Sequence, residues 1–150
     1  MNSASVITRR CFLKSTASAA ATLTILQAGS ARTYAANEKL NIAAIGVAGQ
    51  GGSDIDQLKS ENMVALCDVD WRHAADTFKK FPKARQFKDY RRMLDEIGKE
   101  IDAVIVATPD HHHAFASTAA IHQGKHVYCE KPLTHSVWEA RTVTKAARAA

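Results

Sequence analysis

Acidic residues are missing from the first 36 positions, no apolar run is long enough to cross a bilayer, and cysteine occurs only three times in 150 residues. Each lack removes a class of protein. The mildly apolar stretch Ala17 to Leu26 is too short and too rich in Ser and Thr to be a permanent span, which needs about 20 apolar residues. Cys11 precedes that stretch, where a lipid-anchoring cysteine would not sit, so no lipoprotein is expected. The formal charge of +5 marks no polyanionic partner either: Arg9, Arg10, Lys14 and Arg32 supply +4 of it, which leaves +1 for the rest. Runs such as Lys79-Lys80 and Arg91-Arg92 read as solvated helix faces, and no nucleic-acid partner is expected. Internal repeats and low-complexity tracts are absent as well.

What the leading residues do hold is Thr8-Arg9-Arg10-Cys11-Phe12-Leu13-Lys14, which fills all seven positions of the twin-arginine export pattern. Thr33-Tyr34-Ala35 places small residues at the two positions a signal peptidase reads, so cleavage is expected near Ala35 or Ala36. Residues 1–36 are therefore expected to be a signal peptide. The protein would then meet the twin-arginine export machinery and leave the cytoplasm folded, for the periplasm or an equivalent exported location.

The remainder, Asn37 to Ala150, is long enough for one domain with a real core and short for two. Leu40 to Val47, Met63 to Cys67 and Ala103 to Thr108 are continuous apolar runs, the pattern of strands buried on both faces. Ala84 to Phe87 and His126 to Cys129 add two shorter strands. Helices are expected at about Gly52 to Ser60, Trp71 to Lys80, Tyr90 to Gly98, His111 to Gln123 and from Val137 onward. Asp70 and Asp89 stand at N-cap positions, Ser136 with Glu139 forms a capping box, and Gly98 and Gly124 are expected helix stops. Five βα units in a row imply right-handed crossovers and a Rossmann-type, doubly wound α/β fold with strand order 3-2-1-4-5. Cys67 and Cys129 then end strands separated by two others, about 14 Å apart, too far for a disulfide. Both are expected to be buried, small apolar residues.

In such a fold the ligand crevice lies outside the carboxyl ends of the strands, where strands 1 and 4 part. Four segments open there: Gly46 to Gly52, Asp68 to Asp70, Thr108 to His111, and Glu130 to Pro132. Gly46-Val47-Ala48-Gly49-Gln50-Gly51 follows a buried strand and opens a helix, the setting of a pyrophosphate cradle. Gly46 and Gly51 match the first and third glycines of G-x-G-x-x-G, while Ala48 takes the second place. Its methyl group should weaken the contact or shift the loop unless Gly49 supplies the close approach. Asp68 lies 22 positions beyond Gly46, near the spacing of about 20 for a residue that accepts from a ribose hydroxyl. Its charge would repel a 2′-phosphate, which favours NAD over NADP, although Arg72 nearby could offset that repulsion.

Two motifs at the same edge carry a family resemblance. Ala107-Thr108-Pro109-Asp110-His111-His112-His113-Ala114 and Gly124-Lys125-His126-Val127-Tyr128-Cys129-Glu130-Lys131-Pro132 resemble the Gfo/Idh/MocA family, the group of glucose-fructose oxidoreductase and inositol dehydrogenase. The likeness covers essentially all of residues 37–150. It implies an NAD(P)-dependent oxidoreductase acting on a small-molecule sugar or polyol, with Lys131 beside the nicotinamide and the substrate hydroxyl. The residue chemistry agrees, since a cation there can orient a hydroxyl and assist its proton loss. A structural Glu130-Lys131 pair closing a turn is the other reading of the same residues. The candidate site is thus Lys131 as catalytic group, with Gly46, Ala48, Gly49, Gln50, Gly51, Asp68, Thr108, Pro109, His111 and Glu130 toward the cofactor.

No metal site is expected. His111, His112 and His113 are consecutive on a helix, so their rings point about 100° apart and cannot converge on one ion. His111 and Asp110 are read toward the cofactor or substrate, and His112 and His113 as solvent-exposed. The resemblance also implies a second domain, an open antiparallel sheet that supplies the substrate pocket, the acid/base group and the oligomer interface. This chain stops within a helix at Lys145 to Ala150, before a sixth strand. Alone it is expected to bind NAD without turnover, and a homo-oligomer is expected only of a full-length form. A non-catalytic NAD-binding module and an NAD-dependent glycosidase on the same scaffold are the alternatives.

Overall fold

A computed structural model describes residues 39–150; the leader, its cleavage site and the expected domain start at Asn37 lie outside the described residues. Five strands form one sheet: β1 (Asn41–Ile45), β2 (Asn62–Cys67), β3 (Arg85–Phe87), β4 (Ala103–Val106) and β5 (His126–Cys129). All four pairings are parallel and the order is β3-β2-β1-β4-β5, as the run of βα units requires. The helices are α1 (Gln50–Asp56), α2 (Ala75–Lys80), α3 (Tyr90–Ile97), α4 (Asp110–His122) and α5 (Val137–Ala149), with a 3₁₀ turn at Gly98–Glu100.

Apart from the Asn that opens each of β1 and β2, the central strands are apolar throughout because each face has its own helical cover. Ile42, Ala44, Leu66 and Ile105 meet Ile55 of α1 and Phe78 of α2 on one face. Ala43, Ile45, Val104 and Val106 meet Met93, Leu94 and Ile97 of α3, and Ala116 and Ala120 of α4, on the other. Burying a side chain such as Ile55 or Leu66 is worth about 1.5–3 kcal/mol, so these two layers, rather than helix propensity, hold the strand ends in place. A register shift between Ile42 and Ala43 leaves Val64 as the extra residue of a bulge between β1 and β2. Helix α5 lies on α4 through Ala114, Ile121, Val143 and Ala146.

The Asp89 carboxylate caps α3 by accepting from the Arg91 N–H, and Ser136 and Glu139 form the expected capping box on α5. Gly124 follows α4 as expected, in a positive-φ conformation. Two local expectations fail, the first being α1, which runs Gln50–Asp56 rather than Gly52 to Ser60. Helix α2 begins at Ala75 rather than Trp71, because the Asp70 carboxylate accepts from the N–H groups of Arg72 and His73 and holds residues 71–74 as a separate turn. Gly98 is the C-cap of α3, as expected, with a right-handed φ of −52°, and it also begins the 3₁₀ turn. Cys67 is buried and Cys129 half-buried, both free thiols, with β1 and β4 between their strands. Burial pushes the Cys67 thiol up to about 12, and the charges of Asp68 and Asp89 add to the effect. Such a thiol is no nucleophile.

Candidate functional site

The turn after β1 is built by exclusion of side chains. A β-carbon on Gly46, whose φ is +79°, would sit 2.7 Å from the backbone of Ala107 and Thr108 at the exit of β4. One on Gly51, in the first turn of α1, would land on the Gly46 carbonyl oxygen. Both positions therefore need glycine for close approach, the first at the tight turn and the third where helix meets strand. Gly49 is the N-cap of α1 with φ 53°, exposed, and nothing lies within 4 Å of where its β-carbon would be. Ala48 is half-buried on the wall beside it. The open backbone at the helix start is thus at Gly49, the arrangement that tolerates alanine in the second glycine place.

Side chains from two other elements hold this turn at Val47. Its N–H donates to Asp68 Oδ2 at 2.9 Å, and its carbonyl accepts from the buried Thr77 hydroxyl at 2.7 Å. The other carboxylate oxygen of Asp68 accepts from the Asp70 N–H at 2.9 Å. Asp68 is therefore a structural tie as well as a candidate ligand, and each oxygen keeps a lone pair for another donor.

Around these groups lies a cleft of about 310 Å³, walled by Gly46, Ala48, Asp68, Val69, Ala107, Thr108 and Pro109, with His73, Lys88, Tyr90 and His112 at its far side. It opens at the carboxyl ends of β1, β2 and β4, where the sheet order reverses. The Thr108 hydroxyl oxygen is buried there without a partner among the described residues, an acceptor and donor left for a ligand. A larger groove of about 480 Å³ runs beside β3 between Trp71, Arg85 and Glu96. Its acidic groups are already engaged, with Glu96 held by Arg85 and Arg92 at 3.0 Å each and Asp89 beside Arg91, and no glycine turn borders it. The cleft at the reversal is the site.

One strand further along, the Glu130 N–H donates to the Val106 carbonyl at 2.9 Å and extends the β4–β5 pairing into Glu130-Lys131-Pro132. The Lys131–Pro132 peptide is cis. Glu130 accepts from the Tyr128 hydroxyl at 3.2 Å and from the Lys131 N–H at 3.3 Å. The first contact, with the Glu130 charge, raises the Tyr128 hydroxyl above its ordinary range. Among the described residues the Lys131 ammonium is in no ion pair, so the structural Glu130-Lys131 pair reduces to a backbone contact.

The site therefore brings together Gly46, Ala48, Gly49, Gly51, Asp68, Thr108 and Pro109, with Glu130 and Lys131 beside them at the end of β5. Gln50 is turned along its own helix to Asp54, with Nε2 donating at 2.8 Å. His111 is exposed against Asp110, and His112 reaches the cleft in its place. The His112 ring meets Tyr90 edge-on, centroids 5.5 Å apart. Burial, and then the Arg91 guanidinium, holds its imidazole below the ordinary range. His113, expected in solvent, is 2 % exposed, with one ring nitrogen 2.7 Å from the Pro132 carbonyl and the other 2.6 Å from that of Thr108. The signal for it was helical phase: His113, Ser117, Ala120 and Ile121 share one buried stripe. Thr77, Lys88 and Tyr90 had no motif to mark them.

A parallel sheet with a glycine turn running into a helix at its order reversal, and a carboxylate at the next strand end, defines a dinucleotide-binding α/β domain. Residues 40–150 match the family model described as "Oxidoreductase family, NAD-binding Rossmann fold", and the chain belongs to this family, Gfo/Idh/MocA. Inositol 2-dehydrogenase of Rubrobacter xylanophilus is 30% identical over 114 residues, 73% of this chain and 32% of that protein. A crystal structure of an NAD binding oxidoreductase from Klebsiella pneumoniae is 31% identical with a TM-score of 0.64, covering 75% of this chain and 32% of that one. GenD2 from gentamicin A biosynthesis, solved in complex with NAD, is 27% identical with a TM-score of 0.68 over 81% of this chain and 35% of its own. The chain spans about a third of the length of these relatives.

The domain's cofactor is NAD(P), and the residues fit it. Gly46 and Gly51 leave room where a side chain would intrude, Gly49 opens the start of α1, and Thr108 keeps an unpartnered hydroxyl in the cleft. The backbone of residues 46–51 would hold the pyrophosphate and Asp68 the ribose of the adenosine half.

Proposed function

We propose that residues 39–150 are the cofactor half of an oxidoreductase that moves hydride between NAD(P) and the carbon of a sugar or polyol hydroxyl, with NAD preferred. The observation that carries this reading is the placement of an unpaired, exposed lysine at the same sheet end as the glycine cradle, one strand beyond the cleft. The cofactor, when bound, takes up or gives back hydride. Lys131 would donate to the substrate oxygen and stabilise the negative charge that grows there as the hydroxyl proton passes to solvent water. Thr108 and Pro109 wall the cleft beside it, and Asp68 favours a free 2′-hydroxyl over a phosphate.

The test is Lys131→Ala. NAD binding should stay within about twofold, since removing a group that acts only on the reacting oxygen leaves cofactor contacts intact. Oxidation of a cyclitol or sugar by the intact protein should fall by about 10²–10⁴, the range for loss of a positioned acid–base group. Undiminished turnover refutes the role of Lys131.

The same proposal places this chemistry outside the cytoplasm. Thr8 to Lys14 supports export by the twin-arginine route, which carries folded proteins and so suits a domain that binds its cofactor before it leaves.

A further inference from the structure

Three buried polar side chains stand out in the described core, and one of them, His113, has both ring nitrogens against acceptors. We propose that His113 is a positioning residue: its ring bridges the loop after β4 and the loop after β5 and so holds Lys131 at the mouth of the cleft. The inference rests on the reading of Lys131 given above.

The bridge is set by the partners. Backbone carbonyl oxygens only accept, so a proton carried by either ring nitrogen points at one of the two loops. Contacts of 2.7 Å to Pro132 O and 2.6 Å to Thr108 O place one ring between those loops, and it cannot turn or shift without losing one of them. His113 is the fourth residue of α4, so both loops are fixed against that helix.

The consequence falls on Lys131. Its exposed side chain has no ion pair among the described residues to fix it, so its place depends on the backbone at either side. On the N-terminal side the Glu130 N–H is bonded to Val106. On the C-terminal side the Pro132 carbonyl is bonded to His113. The second partner of the same ring is Thr108, on the cleft wall, so one side chain sets the spacing between that wall and the lysine.

The experiment uses the full chain labelled with ¹⁵N-histidine at pH 7, with His113→Gln identifying the His113 signals by their loss. A ring N–H correlation that exchanges slowly with water, as a hydrogen-bonded and buried ring proton gives, is expected, and a ring without one overturns the proposal. In His113→Gln, amide exchange at Glu130, Lys131, Leu133 and Thr134 should quicken by about three- to tenfold, the factor carried by net loss of one hydrogen bond, while β1 and β4 exchange as before. Faster exchange everywhere, or none at 130–134, means that the ring is only a core residue and refutes its positioning role. Should the variant not fold, the wild-type ring, assigned by through-bond correlation, decides the matter. Failure of the dinucleotide reading would show separately, as wild-type protein that binds no NADH.

Discussion

Replacing Asp68 with Ala removes two functions that the geometry allows to be separated. In the folded domain its carboxylate accepts from the Val47 and Asp70 N–H groups at 2.9 Å each. Hydrogen bonds to a charged group are worth about 1.5–3 kcal/mol; these are only part buried or exposed, so about 2–4 kcal/mol for the pair is the working figure. A domain of ordinary stability, about 5–15 kcal/mol, survives that loss and shows it as a lower urea midpoint. Asp68→Asn keeps one acceptor and should recover about half. The Val47 bond also shapes the cradle, so both NAD and NADP weaken when it goes. A bond to the ribose hydroxyl exists only for NAD, and its loss should weaken NAD by a further factor of about 10–100 relative to NADP. Calorimetric titration of both cofactors into wild type, Asp68→Ala and Asp68→Asn at one ionic strength reads that ratio directly. Equal loss for the two cofactors refutes the ribose assignment and leaves Asp68 as a structural tie alone.

The glycine turn gives a sharp contrast. Gly51→Ala puts a methyl on the Gly46 carbonyl, so α1 must back away at a cost of about 1–3 kcal/mol in stability and with weaker NAD binding. Gly49→Ala has open space and should cost only about 1–2 kcal/mol for its positive φ; equal effects would mean that the close approach at Gly51 is not real. His112 gives a pH signature. Its folded-state value is depressed below 6.5, so the unfolded chain takes up the proton first, and the stability it contributes is full above pH 6.5 and is lost as pH falls through the folded value. Urea midpoints between pH 8 and 5 should fall less steeply for His112→Asn, and identical slopes would contradict the cause given. Arg9→Lys with Arg10→Lys should leave the protein in the cytoplasmic fraction of an exporting host, whereas unchanged export would exclude the twin-arginine route.

Much of the fold could be read from the chain because burial on two faces leaves no polar alternation: past Asn41 and Asn62 at their starts, β1, β2 and β4 are apolar throughout, the pattern of a central parallel strand. The strand order followed from connectivity, and the caps at Asp89 and Ser136 from short-range hydrogen bonding that sequence spacing fixes. Other features depended on contacts far apart in sequence. Thr77 looks like an ordinary helical threonine until α2 is laid against the glycine turn, where its hydroxyl meets Val47. Asp68 was legible as an acid at a strand end, but not as the partner of Val47, 21 residues away. The three consecutive histidines differ only in helical phase: His111 faces solvent, His112 the cleft, and His113 the core. The sequence turned His111 toward the cofactor and His112 and His113 outward, because the carbonyls near the His113 ring come from two different loops.

The central claim is that the cleft between β1 and β4 holds a dinucleotide. The most direct measurement is calorimetric titration of NAD into the full chain, repeated with Gly51→Ala. Saturable one-to-one binding, weakened in a variant that remains folded by circular dichroism, is the expected result. A folded wild-type chain that binds no NAD up to about 1 mM, an affinity weaker than about 4 kcal/mol, would contradict it.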